Sequence, residues 1–423
     1  MTDLDQITAP PDTRDPKPET RPPRLPALAF AGFRIFALGA AISFAASFMF
    51  MLAASWQVYL LAKPPLNKAV MLGLLGFSRT VPMLCFVLVA GVTSDRLGRR
   101  RLMLITNSLS AAVAAGFALF ALAGWLNVWF VLAAAFLMGS CTAFNQPSQQ
   151  AIVHDLVGVL YLHNGVALMA FIQNLVRIGA PLVAGAMLTL GHGSIVPAMV
   201  AVGYAIMAAA LFSLHLPHAS VERVNMLSSL RQVFGYIRSE RLVMALLLLE
   251  TIPGLFELPY QSLLPIFAGS IYHRGAAGLG IMQSASGIGA FTGSLALVGL
   301  SGFRRKGLLL IGAITALGAS LLAFGLVHIW LIALAALVLV GMFDALYIYT
   351  INGLLLSRAP DHLRGRVMSV FTLADSGMSP LGSILVGLVA GILGAPAALA
   401  LSGATIMTCV LGVAARVPRL RRV

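Results

Sequence analysis

Charge is scarce in this chain. Asp, Glu, Lys and Arg together supply only 10% of its 423 residues, and hydrophobic residues supply 59%. An ordinary soluble domain is about 25% charged. So few polar residues cannot cover a water-facing surface, so lipid must be the solvent over most of the area. Cysteine is scarcer still. Cys85, Cys141 and Cys409 each sit inside an apolar run, which implies buried thiols rather than a disulfide framework. The eight histidines are scattered and lack the Cys/His spacing of a zinc site. No G-x-x-x-x-G-K-[ST] loop is present, and no large polar segment exists to hold ATP, so an ATP-driven pump is excluded. Neither a metal nor a cofactor is expected. The net charge of +14 would suit a nucleic-acid partner, but the basic residues punctuate the apolar runs instead of forming one patch, so that reading is rejected.

What the sequence does contain is apolar runs of membrane-spanning length. A helix needs about 20 mostly apolar residues to cross a hydrocarbon core ~30 Å thick. Backbone polar groups in lipid must be paired internally, so the runs are helices or strands of a closed barrel. They far exceed the ~10 alternating residues of a barrel strand, so helices are predicted. The expected spans are 31–61, 70–93, 102–123, 127–151, 164–190, 195–216, 242–268, 276–300, 307–326, 329–354, 366–393 and 396–416. The predicted fold class is therefore an all-α membrane protein with twelve transmembrane helices.

Arginine sets the orientation. Twenty-three of the 28 Lys and Arg fall in the two terminal segments and in connections two, six, eight and ten. Only Lys63, Lys68 and Arg274 lie on the other side, while Arg79 and Arg177 lie inside spans. Positive residues mark the cytoplasm, so both termini are expected inside. Residues 1–28 are polar and proline-rich, unlike a cleavable signal peptide, and read as a disordered cytoplasmic tail. The longest connection, 217–241, carries Met226, Leu227, Leu230, Val233, Phe234 and Ile237 at helical spacing and reads as an amphipathic interfacial helix. It separates a six-helix half at 29–216 from a second at 242–416, with a basic tail at 417–423. The halves repeat weakly: Arg99 to Arg101 follow span two as Arg304 to Lys306 follow span eight, and Pro181 in span five corresponds to Pro380 in span eleven. Parallel six-span repeats are a transporter architecture, with the substrate site between the halves.

One motif is specific. Gly91, Asp95, Arg96, Gly98, Arg99 and Arg100 stand between spans two and three at the spacing G-x-x-x-D-R-x-G-R-R. Gly91 allows close helix approach, Asp95 suits a helix N-terminus or an arginine, and Gly98 permits a tight turn. The pattern resembles motif A of the major facilitator superfamily. Further stretches at Trp56 to Leu60, Asn145 to Ala151, Arg177 to Pro181 and Ala359 to Ser369 extend the resemblance over almost the whole chain from Phe33. They are similar to the subfamily of the enterobactin exporter and macrolide-efflux-type proteins. The resemblance implies a pseudo-symmetric facilitator fold and a loop that latches the halves in one state of an alternating-access cycle. It further implies a monomeric bacterial inner-membrane exporter of an amphipathic small molecule, driven by protons. The chain departs from the family at two points: it has Ala180 before Pro181 where the drug antiporters favour glycine, and no ionisable residue between Arg34 and Lys63 in span one.

Charges inside the membrane cost roughly 2.5–3.5 kcal/mol even on insertion-based scales, so each needs a partner, a cavity or a function. Span seven carries Glu250 and Glu257 on one face with Gly254 and Gln261, interrupted by Pro253, Pro259 and Pro265. Span ten carries Asp344 near Tyr347, and span eleven carries Asp375. Glu257, Asp375, Asp344 and Glu250 are the candidate proton carriers, with Glu250 also readable as an interfacial anchor. Gln57, Arg79, Asn145, Gln173, Arg177, Gln261 and Tyr347 are the candidate substrate-cavity residues. Arg79 either reaches that cavity or snorkels to the interface. Arg177 forms either a static pair with a carboxylate or a switchable one between the halves. A nutrient importer or lysolipid flippase is the alternative reading, and an intramembrane enzyme or sensor a weaker one.

Overall fold

The structure is a computed structural model describing residues 26–190, 193–214, 235–300, 302–303, 305–360 and 363–417; of residues 87–88, 91–92 and 94–96 it describes the helical backbone alone. Among the described residues every regular element is helical. The first half comprises α1 (Ala31–Leu61), α2 (Lys68–Leu97), α3 (Arg99–Leu122), α4 (Val128–Thr189) and α5 (Ile195–Ser213). The second comprises α6 (Arg241–Phe256), α7 (Tyr260–Ile266), α8 (Gly275–Gly299), α9 (Lys306–Leu326), α10 (Trp330–Arg358), α11 (Arg364–Asp375), α12 (Ser379–Leu393) and α13 (Ala395–Arg416).

Local chemistry sets where these helices begin. The Asn67 side chain caps α2 by accepting from the Ala69 and Val70 amides, and Asn127 caps α4 by accepting from Phe130 N–H at 2.8 Å. Gly98, at φ 79°, makes the turn between α2 and α3, a backbone region open chiefly to glycine.

Helix α4 runs for 62 residues. Unbent, it would extend ~93 Å, three times the hydrocarbon thickness. It breaks at Gly158, whose φ of 70° and ψ of 174° lie outside the helical region. An ideal Cβ on Gly165 would lie 3.1 Å from Cγ1 of Val153. Residues twelve apart in one straight helix are ~18 Å apart. The chain therefore doubles back, and α4 supplies both span four and span five. With that helix counted twice, the eleven helical stretches among the described residues that are long and apolar enough to cross a membrane make twelve passes.

Spans seven and eleven are each broken in two. Span seven stops at Phe256, resumes at Tyr260 and ends in a π-helical turn, Phe267–Ile271. Span eleven stops at Asp375 and resumes at Ser379. Prolines lie at both restarts, Pro259 and Pro380, where their missing N–H groups leave no helical bond unmade. The outer surface is apolar: Leu331 is 74% exposed and Ile392 82%. Such a surface fits lipid and not water. The predicted amphipathic helix in the central connection, the first 25 residues and the last six lie outside the described residues, apart from a short helical piece at 235–239. There Tyr236 donates to the Arg358 carbonyl at 3.0 Å.

Candidate functional site

The two ends of the bundle differ. At the end away from the arginine-rich connections the halves are pressed together. An ideal Cβ on Gly73 of α2 would lie 2.8 Å from Cα of Gly387 on α12, and one on Gly185 of α4 would lie 3.0 Å from Cα of Gly280 on α8. Backbones approach this closely only where side chains are absent. Ser284 of α8 donates to the Ile178 carbonyl of α4 at 2.6 Å, and Tyr59 and Ser270 share a hydrogen bond of 2.9 Å across the same seam. One continuous apolar core joins both halves there. At the arginine end, by contrast, Phe33, Phe36, Ile152, Val157, Met169 and Leu211 close a separate core, drawn among the described residues from the first half alone.

Above the seal, toward the arginine end, lies a cavity of 690 Å³, within the ~300–1,000 Å³ range of small-molecule sites. A second space of 330 Å³ lies between the halves and shares Phe48, Arg79, Ala170 and Gln173 with the first. The lining mixes apolar surface (Phe44, Phe48, Met83) with amides and hydroxyls (Asn145, Gln149, Thr142). A polar cluster backs it. Asn107 donates to the Met103 carbonyl at 2.7 Å, and Ser43 donates to Asn107 at 3.4 Å.

Glycine positions both cavity arginines. A Cβ on Gly139 in α4 would collide with the Arg79 carbonyl, so α2 and α4 touch backbone to backbone at that residue. A Cβ on Gly287 of α8 would lie 3.0 Å from the Arg177 carbonyl across the two halves. Arg79 lines both spaces, while Arg177 lines the smaller and stands 3.8 Å from Asp344 of α10. That ion pair joins the two halves.

The acidic residues gather in the second half, where the broken spans meet. A Cβ on Gly254 would meet the carbonyl oxygen of Asp375, so α6 and α11 touch at the two breaks. Glu257 sits in the break of span seven and Asp375 at that of span eleven, where Asp375 accepts from Ser376 at 2.8 Å. Glu250 is fully buried and Glu257 is 1% exposed. Among the described residues, neither carboxyl oxygen of Glu250, nor Oε2 of Glu257, has a hydrogen-bond partner. The charges of Glu250, Glu257, Asp344 and Asp375 lie within electrostatic reach of one another, and Arg177 within reach of Glu257. A buried carboxylate without a partner costs several kcal/mol; of the four acids Asp344 is paired with Arg177 and Asp375 with Ser376, which leaves Glu250 and one oxygen of Glu257 to bear that cost.

At the motif between α2 and α3, the side chains of Gly91, Asp95 and Arg96 lie outside the described residues. The following arginines are engaged within the first half. Nη1 of Arg99 reaches both carboxylate oxygens of Asp155 in α4, at 2.8 and 2.7 Å, and Arg100 caps α5 by donating to the Leu211 and Phe212 carbonyls. Asp155→Asn is expected to lower stability by about 1–2 kcal/mol, since the pair is charge-assisted but part-exposed. Thermal unfolding in detergent, at low and high salt, checks this; the loss shrinks with salt if the ion pair carries it.

Of the predicted cavity residues, Arg79, Asn145, Gln173, Arg177 and Gln261 lie together on the two spaces. Gln57 is elsewhere: its amide nitrogen would lie 2.8 Å from a Cβ on Gly193, near the sealed end. Tyr347 is packed in the core at 1% exposure, and Tyr349 lines the cavity in its place. Asp155, Thr106 and Asn107 were not foreseen as site residues. Asp155 carries a sequence signal, an acid at the arginine end of span four, but nothing local names its partner.

Among the described residues, a twelve-pass bundle with a cavity in its first half adjoining a smaller space between the two halves fits a major facilitator transporter, not an enzyme. The transmembrane secretion effector model matches residues 24–422, and the chain belongs to that family within the major facilitator superfamily. It is 26% identical over 341 residues to the staphyloferrin A transporter of Staphylococcus aureus, covering 78% of this chain and 83% of that one. It is 26% identical over 360 residues to macrolide efflux protein A of Streptococcus pyogenes (83% and 87%). It is 26% identical over 324 residues to the enterobactin exporter EntS of Citrobacter koseri (75% and 76%). In fold it is similar to the solved peptide transporter POT in complex with sulfate, with a TM-score of 0.74 at 15% identity over 93% of this chain and 95% of that one.

Proposed function

We propose that this chain exports amphipathic small molecules across the bacterial cytoplasmic membrane by alternating access, coupled to proton entry. The observation that carries this reading is the asymmetry of the bundle: a 690 Å³ cavity lies on the arginine side of a glycine-packed seal between the halves. The positive-inside rule places that side, with both termini, in the cytoplasm. The cavity then faces the compartment from which an exporter loads. Two relatives, named for macrolide efflux and enterobactin export, favour the outward direction.

Coupling follows from the acid cluster. Arg177 holds the halves together through Asp344, with Glu257 in electrostatic reach. Proton arrival at these acids weakens their hold on Arg177 and frees the halves to rock. Exchange requires that cargo and proton bind in alternation, and acids whose charge holds Arg177 supply the proton-sensitive part of that cycle. The Gly98 turn, with Arg99 on Asp155 and Arg100 on α5, keeps the cytoplasmic ends of the first half together as one rigid unit during that motion.

The test is accumulation in energised everted vesicles. A fluorescent amphiphile is expected to accumulate, and an uncoupler to abolish it. Accumulation indifferent to the uncoupler contradicts proton coupling, and uptake by intact cells down a gradient contradicts export.

A further inference from the structure

The wall of the cavity carries charge of one sign. Around the larger space the only charged residue among those described is Arg79, and around the smaller space they are Arg79 and Arg177. No Asp or Glu is among the described residues lining either one. The acids of the second half lie behind that surface: Glu250 and Glu257 are buried, and Asp344 faces Arg177. A carboxylate on the wall favours cationic cargo, and this wall presents guanidinium instead.

Arg79 differs from Arg177 in having no counter-ion. No ion pair or hydrogen bond to its guanidinium is found among the described residues, and the titratable group its charge meets is the Tyr204 phenol, itself on the cavity wall. A guanidinium in the middle of a membrane protein with no acid beside it is costly. It is also held there deliberately. Gly139 lets α4 touch the backbone of α2 at Arg79, so the residue cannot drift away from the cavity. The same cavity is lined by neutral donors and acceptors, Ser47, Thr142, Asn145 and Gln173. Phe44, Phe48 and Met83 supply the apolar wall.

We propose that Arg79 is the anchor for an oxyanion on the cargo, and that the transported molecules are amphiphiles bearing a carboxylate or phosphate, with the apolar body on the Phe44, Phe48 and Met83 side. The planar fork of arginine matches either group with two parallel hydrogen bonds. This inference rests on the transporter reading above and narrows its substrate class.

Four probes with one aromatic body separate the possibilities: 1-naphthylacetate, 1-naphthyl phosphate, 1-naphthylmethanol and 1-naphthylmethylammonium. Binding to the purified full chain in neutral detergent is measured by equilibrium dialysis. At least one of the two anions is expected to bind about tenfold or more tightly than the alcohol and the ammonium. Which of them binds better distinguishes carboxylate from phosphate cargo. Arg79→Gln is expected to erase the preference, and Arg79→Lys to keep the sign of the preference with weaker affinity. Thermal unfolding of both variants reports that each is folded. An ammonium that binds as tightly as the anions, anions that bind no better than the alcohol, or a preference that survives in folded Arg79→Gln, each overturns the proposal. The same probes in everted vesicles keep the two readings apart: export of the ammonium sinks only the charge assignment, whereas accumulation of no probe sinks the exporter reading.

Discussion

Glu257→Gln is expected to abolish uncoupler-sensitive accumulation in everted vesicles, by a factor of about 100 or more, while leaving the protein folded. The carboxyl sits at a helix break, 1% exposed, with Oε2 unpartnered. Glutamine has the same shape and stays neutral. It removes the ability to take and give a proton but adds no charge and no cavity, so the change in stability stays within about 1 kcal/mol. Asp375→Asn at the facing break probes the same device, and the two effects are expected not to add, because the acids lie within reach of one another. Cargo binding at equilibrium is expected to survive in Glu257→Gln, since Glu257 does not line the cavity. A variant that loses cargo binding along with transport would place Glu257 in the binding site instead.

Gly73→Leu is expected to stop transport by the opposite route. Its Cβ would lie 2.8 Å from Cα of Gly387, and a leucine places three more carbons beyond it. Overpacking of this kind costs typically 1–3 kcal/mol. The cost falls on the state in which the seal is closed and is relieved when the halves part there. The equilibrium therefore moves toward the outward-open state by roughly 5- to 150-fold, at 1.4 kcal/mol per factor of ten. Transport is expected to fall at least about tenfold, with the resting protein opened to the outside. Gly73→Ala, with a smaller intrusion, is expected to give a smaller shift of the same sign. Both are read by spin-label distances between the outer ends of α2 and α12.

The membrane class and the twelve passes were legible in the sequence because lipid imposes length and arginine imposes side. The cavity was legible only in part. On span one, Ser43 and Gln57 are fourteen residues apart, a helical rise of ~21 Å. Ser43 and Ser47 line the cavity, while Gln57 lies toward the sealed end, beside Gly193. Tyr347 and Tyr349 are two residues apart on α10 and so ~200° apart around it. Hydropathy ranks them alike; only the packing of α10 shows that Tyr349 faces the space. The prolines of span seven announced an irregular helix, but nothing local announces that its break meets the break in span eleven. Asp155 was missed because its partner Arg99 is 56 residues away, and such a pairing is a property of the fold.

On the proposed orientation the cavity is open to the cytoplasm and sealed from outside. Gln146 tests it directly, since it lines the cavity and is exposed. In a chain with Cys85, Cys141 and Cys409 replaced, Gln146→Cys is to be labelled with a membrane-impermeant maleimide in everted vesicles and in intact cells. Rapid labelling in everted vesicles and protection in intact cells is the predicted result. Labelling from the outside with protection in everted vesicles would contradict the orientation and the seal together.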